Sequence, residues 1–304
     1  MTFEYHPGER SVQDRAGVRS MADRVANGIH SSIPEAAVAF LSERRFLLLG
    51  GEDRHGQVWT SVLTGPAGFL RTVTPTELRI DAVLPTDDPL FDPLFSSGAD
   101  GVALGALAID PATRRRMRLN GRAFVGRNGI TIRAEQVYAN CPKYIQKREE
   151  APVSVEGLVT TNPSVTETLT PEQMRRWQAT DTFFIATIHP QGGADVSHRG
   201  GNPGFVRVDP DGRSLYWPDY AGNAMFNTLG NIEANPAAGL LLIDFDGSGD
   251  LLRLTGTASL LWDDEAEHRT GARRGVRFVP KQVVDSPAAF PLRHRFRDYS
   301  PFNP

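Results

Sequence analysis

The chain has 304 residues, 40% hydrophobic and 23% charged, a folded globular composition long enough for two ordinary domains. A net charge of −3 with no clustered basic face excludes a nucleic-acid partner, and a lone cysteine, Cys141, excludes an intramolecular disulfide or an all-cysteine metal site. Apolar stretches fall well short of the roughly 20 residues that a membrane span needs, and the charged start MTFEYHPGERSVQDR lacks a signal-peptide core, so no membrane contact and a cytoplasmic location are expected.

In chain order, residues 1–32 read as an appendage, with MADRVANGI (21–29) as one short helix. A helix follows in IPEAAVAFLSER, with Pro34 near its first turn, and runs into the strand RFLLLGG. The glycine turn at 53–56 leads to the strands TSVLT, FLRTV, ELRIDAV, GVALGALAI, RMRLNGRAFV and GITIRAEQVY. The basic run RRRMR (114–118) reads as a solvated turn. Residues 149–170, rich in Pro, Ser and Thr, read as a surface linker. Beyond it, LTPEQMRRWQAT offers Thr170 as cap, Pro171 at the first helical position and Gln173 three past the cap. The strands TFFIATI, DVSHR, FVRV, SLYWP, AGLLLIDF, LLRLTGTASLLW and GVRFVPKQVV come next.

These two runs of strands match each other. Gly68-Phe69 and Arg71 recur 136 residues later as Gly204-Phe205 and Arg207. GALAID from Gly105 recurs 134 residues later as GLLLID from Gly239, and MRLNGRA from Met117 recurs 135 residues later as LRLTGTA from Leu252. Ordered blocks at near-constant spacing read as a tandem duplication, and many short strands with tight turns read as a barrel or sandwich. Gly121 and Gly256, inside their strands, mark sharp bends or close backbone approach.

The differences between the copies locate the chemistry. In DVSHRGGNPGFVRV (195–208), His198 and Arg199 stand where the first copy has Val62 and Leu63. The planar fork of Arg199 suits phosphate or carboxylate oxygens, whereas Arg71 and Arg207, present in both copies, suit a structural salt bridge. Strand alternation points His198 and Arg199 to opposite faces, so one ligand is not expected to meet both side chains. PDYAGNAMFNTLGNIEANP (218–236) gathers Asp219, Tyr220, Asn223, Asn227, Thr228 and Asn231 about a helix that Asn223 can cap. That is an anion seat, or alternatively an ordinary capped helix packing Met225, Phe226, Leu229 and Ile232 on the barrel. The first copy has PLFDPLFSSGAD in its place, without the asparagines. HExxH, P-loop, GxGxxG and GxSxG motifs are absent, the seven histidines lack metal-ligand spacing, and Ser197 beside His198 on one strand makes a serine triad improbable.

FFIATI, DVSHRGGNPGFVRV, PDYAGNAMFNTLGNIEANPAAGLLLIDF and LRLTGTA together make residues 169–284 resemble the pyridoxamine 5'-phosphate oxidase-like family of FMN-binding split β-barrels. Residues 33–145, closing on EQVYANCPKYI, resemble it more loosely, and YHPGERSVQDRAGV and SPFNP look like tails of larger members. The resemblance implies a mainly β fold of two tandem split barrels, 33–148 and 171–304, forming an intramolecular pseudo-dimer in place of the family's homodimer. Whether two chains pair further is left open.

The resemblance also implies FMN in the groove between the barrels. Ser197, His198 and Arg199 would line the flavin, Pro218, Asp219 and Tyr220 would lie near its ring, and Asn223, Asn227 and Thr228 would approach the ribityl phosphate. Tyr138, Cys141 and Lys143 would reach across from the first copy. Where members carry Arg or Lys ahead of the Asn-Leu pair of the phosphate helix, this chain has Asn227 and Thr228, neutral donors that lose charge-assisted bonds. Arg199 or Lys143 would then supply the charge, or the ligand would be a deazaflavin (F420) or haem. The implied function is an FMN-dependent oxidoreductase using a small-molecule substrate and a donor such as NAD(P)H, with His198 and Tyr220 as the acid–base candidates. The alternative is a non-catalytic flavin, deazaflavin or haem binding or storage protein.

Overall fold

The computed structural model describes residues 3–96, 98–126, 129–152 and 162–304. Three helices open the chain: α1 (Pro7–Arg15), α2 (Arg19–Ala26) and α3 (Glu35–Ser42). The first set of strands is β1 (Phe46–Glu52), β2 (Val58–Thr64), β3 (Leu70–Thr74), β4 (Glu77–Ile80), β5 (Val102–Asp110), β6 (Arg115–Gly126) and β7 (Gly129–Asn140), with α4 (Phe91–Phe95) between β4 and β5. The connection carries β8 (Lys147–Ala151), β9 (Ser164–Thr166) and α5 (Pro171–Ala179). The second set is β10 (Thr182–His189), β11 (Gly193–Gly200), β12 (Arg207–Val208), β13 (Leu215–Pro218), β14 (Ala237–Ile243), β15 (Leu251–Trp262) and β16 (Arg274–Ser286). Within it lie α6 (Asn227–Ala234) and α7 (Asp263–Thr270), and β17 (Arg293–Asp298) ends the chain.

The two sheets have one strand order. The first runs β2-β1-β5-β6-β7-β4-β3 and the second β11-β10-β14-β15-β16-β13-β12, all antiparallel. The fold is therefore mainly β, two tandem split barrels paired as an intramolecular pseudo-dimer. Gly121 and Gly256 each sit at a β-bulge, in β6 and β15, where a side chain would collide with a carbonyl oxygen of the neighbouring strand.

Strand periodicity explains why β1 and β10 are apolar throughout. Leu47 and Leu49 face the core of the first barrel, while Phe46 and Leu48 face outward; Phe183 and Ile185 face the second core, while Phe184, Ala186 and Ile188 face outward. The outward residues meet in a third apolar cluster that joins the halves, with Val196, Leu241, Phe245 and Phe290. At Gly105 and Gly239 the halves touch backbone to backbone: a β-carbon there would come within 2.8 Å of the Asp195 backbone and 2.5 Å of the Val58 carbonyl oxygen.

Three expectations change. Residues 149–151 belong to β8, which pairs with β17, and residues 164–166 form β9 on β16, so the stretch read as a linker is structured at both ends, with 153–161 outside the described residues. Arg148 anchors β8 by ion pairs to Asp181 and Asp246. The run RRRMR is no solvated turn: residues 115–118 begin β6. A structural salt bridge holds for Arg71, which meets Asp81 at 2.7 Å, but Arg207 donates instead to the carbonyls of His268 and Arg269.

Candidate functional site

A cavity of about 410 Å³ lies where β6 and the end of β7 from the first half meet β11, the end of β13 and the start of α6 from the second. Ser197, His198, Arg199, Pro218, Asp219, Tyr220, Asn223, Asn227 and Thr228 all line it, joined from the first half by Cys141 and Lys143. Tyr138 does not. It is buried behind the wall, with its hydroxyl 3.0 Å from Arg118 Nη1.

Alternation along two facing strands builds the polar wall. On β11, Asp195, Ser197 and Arg199 share one face; on β6, Arg116, Arg118 and Asn120 share another, while Met117 and Leu119 turn into the first core. Arg118 bridges the strands, bonding both Asp195 oxygens at 3.1 and 3.2 Å and Ser197 Oγ at 2.6 Å. Asp195 also accepts from Asn120 Nδ2, Tyr138 Oη and Thr228 Oγ1, so one buried carboxylate ties the two halves together. Arg199 Nη1 donates to the same Ser197 Oγ at 2.5 Å.

His198, on the opposite face of this edge strand, has its ring edge-on to Phe184 and its Nδ1 2.9 Å from Arg116 Nη1. Both His198 and Arg199 nevertheless line the cavity, so the expectation that one ligand meets only one of them is not required by the geometry. Because the guanidinium only donates, Nδ1 accepts and the ring proton is assigned to Nε2, which is buried without a protein partner.

The helix expected from Asn223 begins later. Ala224 and Phe226 take left-handed φ of 63° and 61°, which no α-helix tolerates, so α6 starts only at Asn227. Asn223 does not cap it; its Oδ1 accepts from Met225 N at 3.1 Å. Asn227 and Thr228 occupy the first turn and face the cavity, but Asn227 Nδ2 is already bonded to Glu9 and Thr228 Oγ1 to Asp195.

Sequence reasoning named Arg199 and Lys143 as sources of charge but missed Arg116, Arg118 and Arg274. Arg116, Arg118, Arg199, Lys143 and Arg274 all line the cavity, against one lining carboxylate, Asp219. Arg118 is paired to Asp195 and Arg274 to Asp219, but among the described residues neither Arg116 nor Arg199 has a carboxylate within ion-pair distance. Burial, then the neighbouring Arg118 and Arg199 charges, push Arg116 down to about 9. Burial lowers Arg199 to about 10, opposed by Asp219 and reinforced by Arg118. His198 is held far below its usual range by burial and by the surrounding arginines, and is therefore neutral. Burial raises Asp219 despite Arg199 and Arg274.

The mirrored position in the first barrel is neutralised from within. Ser61, 136 residues before Ser197, donates to Asp88 at 2.6 Å, and Asp88 meets Arg253, the counterpart of Arg118, at 3.3 Å. Asp88 comes from the β4–β5 connection, the stretch that replaces the asparagine-bearing segment of the second copy. Among the described residues no cluster of His, Cys, Asp and Glu is placed to hold a metal ion, and no helix is long and apolar enough to cross a membrane.

Residues 169–297 match the family model described as Pyridoxamine 5'-phosphate oxidase. Among curated proteins none matches significantly. A solved structure from Lactobacillus delbrueckii, titled a putative pyridoxamine 5'-phosphate oxidase, is 21% identical and aligns with 39% of this chain and 94% of its own, at a TM-score of 0.32. One from Corynebacterium glutamicum with the same description is 18% identical over 43% and 96%, at 0.31. The FAD binding protein from Mycobacterium smegmatis is 13% identical over 40% and 96%, at 0.29.

Proposed function

From the match of residues 169–297 to the Pyridoxamine 5'-phosphate oxidase family model, we propose that the chain is a flavin-dependent oxidoreductase holding one FMN in the cavity between its barrels. The observation that carries this reading is the pair of half-buried guanidiniums, Arg116 and Arg199, without carboxylate partners among the described residues. Buried charge is expensive unless compensated, and a phosphate dianion offers compensation that the protein does not. About 410 Å³ suits a cofactor-sized guest, and the tilted Tyr144–Tyr220 pair, Phe205 and Leu229 supply apolar wall for a ring.

In this reading the anion seat is cationic and lies on β6 and β11, where Arg199, expected to supply charge, is joined by Arg116, with Lys143 beside them. A bound flavin supplies hydride or electron exchange with a small substrate and a donor such as NAD(P)H. The chain's own residues bind, orient and shield. Neutral His198 presents an Nε2–H donor and Ser197 is held by two arginines. Burial raises the Tyr220 hydroxyl, so neither Tyr220 nor His198 is poised to exchange a proton near neutral pH.

A haem pocket is the second reading, favoured by the unpartnered His198 Nε2. It is the weaker one, because Arg116 at Nδ1 leaves Nε2 carrying a proton where an iron ligand needs a lone pair. Titrating the protein with FMN and following flavin fluorescence tests the proposal. Arg199→Ala should weaken binding about tenfold or more, while Arg71→Ala, whose side chain is exposed on Asp81, should leave it unchanged. Equal affinity in the two variants would sink the assignment.

A further inference from the structure

The amino-terminal arm, residues 3–33, pairs with a sheet by the bridge of His30 to Val137, stacks His6 on His189 of β10 and packs against both halves. Tyr5, Ala22, Ala26 and Ile29 form one apolar cluster with Tyr138 of the first half and Met225 of the second. Helix α1 lies on α6 at glycine contact: a β-carbon on Gly230 would come within 2.6 Å of Glu9 Cα. Further along the arm, Val18 and Met21 form part of the cavity wall itself.

Two arm side chains grip the turn that starts α6. Gln13, fully buried, donates from Nε2 to the Met225 carbonyl at 3.0 Å. Glu9, 2% exposed, accepts from Asn227 Nδ2 at 2.7 Å and from its own helix start at His6 N. Met225 sits between Ala224 and Phe226, whose left-handed backbone is unfavourable for residues with a side chain and persists only where surrounding contacts determine it. Within the turn, Asn223 reaches the Met225 amide and sulfur; the arm supplies the hold from outside.

We propose that Glu9 and Gln13 are positioning residues of the ligand site. By holding Met225 and Asn227 they fix the turn that presents α6 to the cavity, and docking of the arm and binding of an anionic ligand are one linked equilibrium. The ligand half of this rests on the flavin reading. Linkage is reciprocal, so a ligand that needs the docked arm must also protect it.

Trypsin can cut the arm after the exposed Arg15, Arg19 and Arg24, which gives a direct readout. FMN should slow cleavage there in the wild-type protein. Gln13→Ala should weaken FMN about tenfold, the effect of one buried hydrogen bond, and remove that protection; Glu9→Ala should act in the same direction. In the ligand-free protein, Gln13→Ala should speed amide exchange across residues 224–228 while leaving β14 and β15 unchanged. FMN that binds without slowing arm cleavage overturns the linkage, and unchanged exchange in Gln13→Ala overturns the positioning role. Should wild-type protein bind no FMN, the flavin reading and the linkage to it fail, and the exchange measurement still decides the positioning role alone.

Discussion

Arg116 and Arg118 lie two residues apart on one strand face, and replacing each by methionine should move stability by very different amounts. Arg118 is 7% exposed and compensated by Asp195; burial works against its charge and the carboxylate restores it. Arg118→Met leaves Asp195 buried without its cation, a loss of about 3 to 5 kcal/mol in comparable cases. Arg116 is uncompensated. Its fall from 12.5 to about 9 corresponds to about 5 kcal/mol of unfavourable charge placement, which solvent screening of its partly exposed side chain reduces to about 1 to 2 kcal/mol recoverable on neutralisation. Arg116→Met also strands the buried His198 Nδ1, a cost of about 1 to 3 kcal/mol that offsets this gain, so the ligand-free variant should unfold within a few degrees of wild type, while its FMN affinity falls about tenfold or more. Thermal unfolding with and without FMN reads both quantities in one experiment. A ligand-free Arg116→Met protein destabilised as far as Arg118→Met, or one that binds FMN as well as wild type, would refute the charge argument.

Two further outcomes follow from buried carboxylates. Glu9 is pushed up from 4.5 to about 7, chiefly by burial, with Asp195 adding and the His6 amide, Asn227 and Arg10 opposing. The folded state thus binds the extra proton between those values, so Glu9 should cost stability progressively as pH rises from about 4.5 to 7, by about 3 kcal/mol in all. Glu9→Gln should flatten that slope in denaturant titrations; His6, lowered to about 4 by burial and His189 and 3.5 Å from the Glu9 carboxylate, acts in the opposite sense. Equal slopes in both proteins would contradict the assignment. Asp88→Ala should destabilise the first half by about 3 kcal/mol or more by stranding Arg253, with no loss of FMN affinity; a drop in affinity would mean that the mirrored position also binds ligand.

Much of the architecture was legible because a strand's period of two survives in short segments. Leu47 and Leu49 against Phe46 and Leu48 already encode a strand covered on both sides, and the repeated glycines at 121 and 256 already mark two equivalent bulges. The second copy's polar residues pointed to the cavity because they lacked counterparts in the first. Arg116 and Arg118 were missed because basic runs are usually solvated. The clue was their alternation with Met117 and Leu119, together with the recurrence of Arg118 as Arg253. Helix α1 was missed although Pro7 and Glu9 stand in its first turn, because its cap is His6, outside the usual capping residues. Nothing in the local pattern announced that Asn223 would yield the helix start to Asn227, since that depends on Gln13 holding the turn from 212 residues away.

The central claim is that two half-buried arginines, without carboxylate partners among the described residues, hold the phosphate of a flavin between unequal barrels. Denaturing the purified protein and taking the mass and absorption spectrum of what it releases, before and after loading with FMN, tests this most directly. The account predicts one FMN per chain, lost in an Arg116→Met, Arg199→Ala double variant that remains folded. Release of haem or a deazaflavin, or FMN retained undiminished by that double variant, would contradict it.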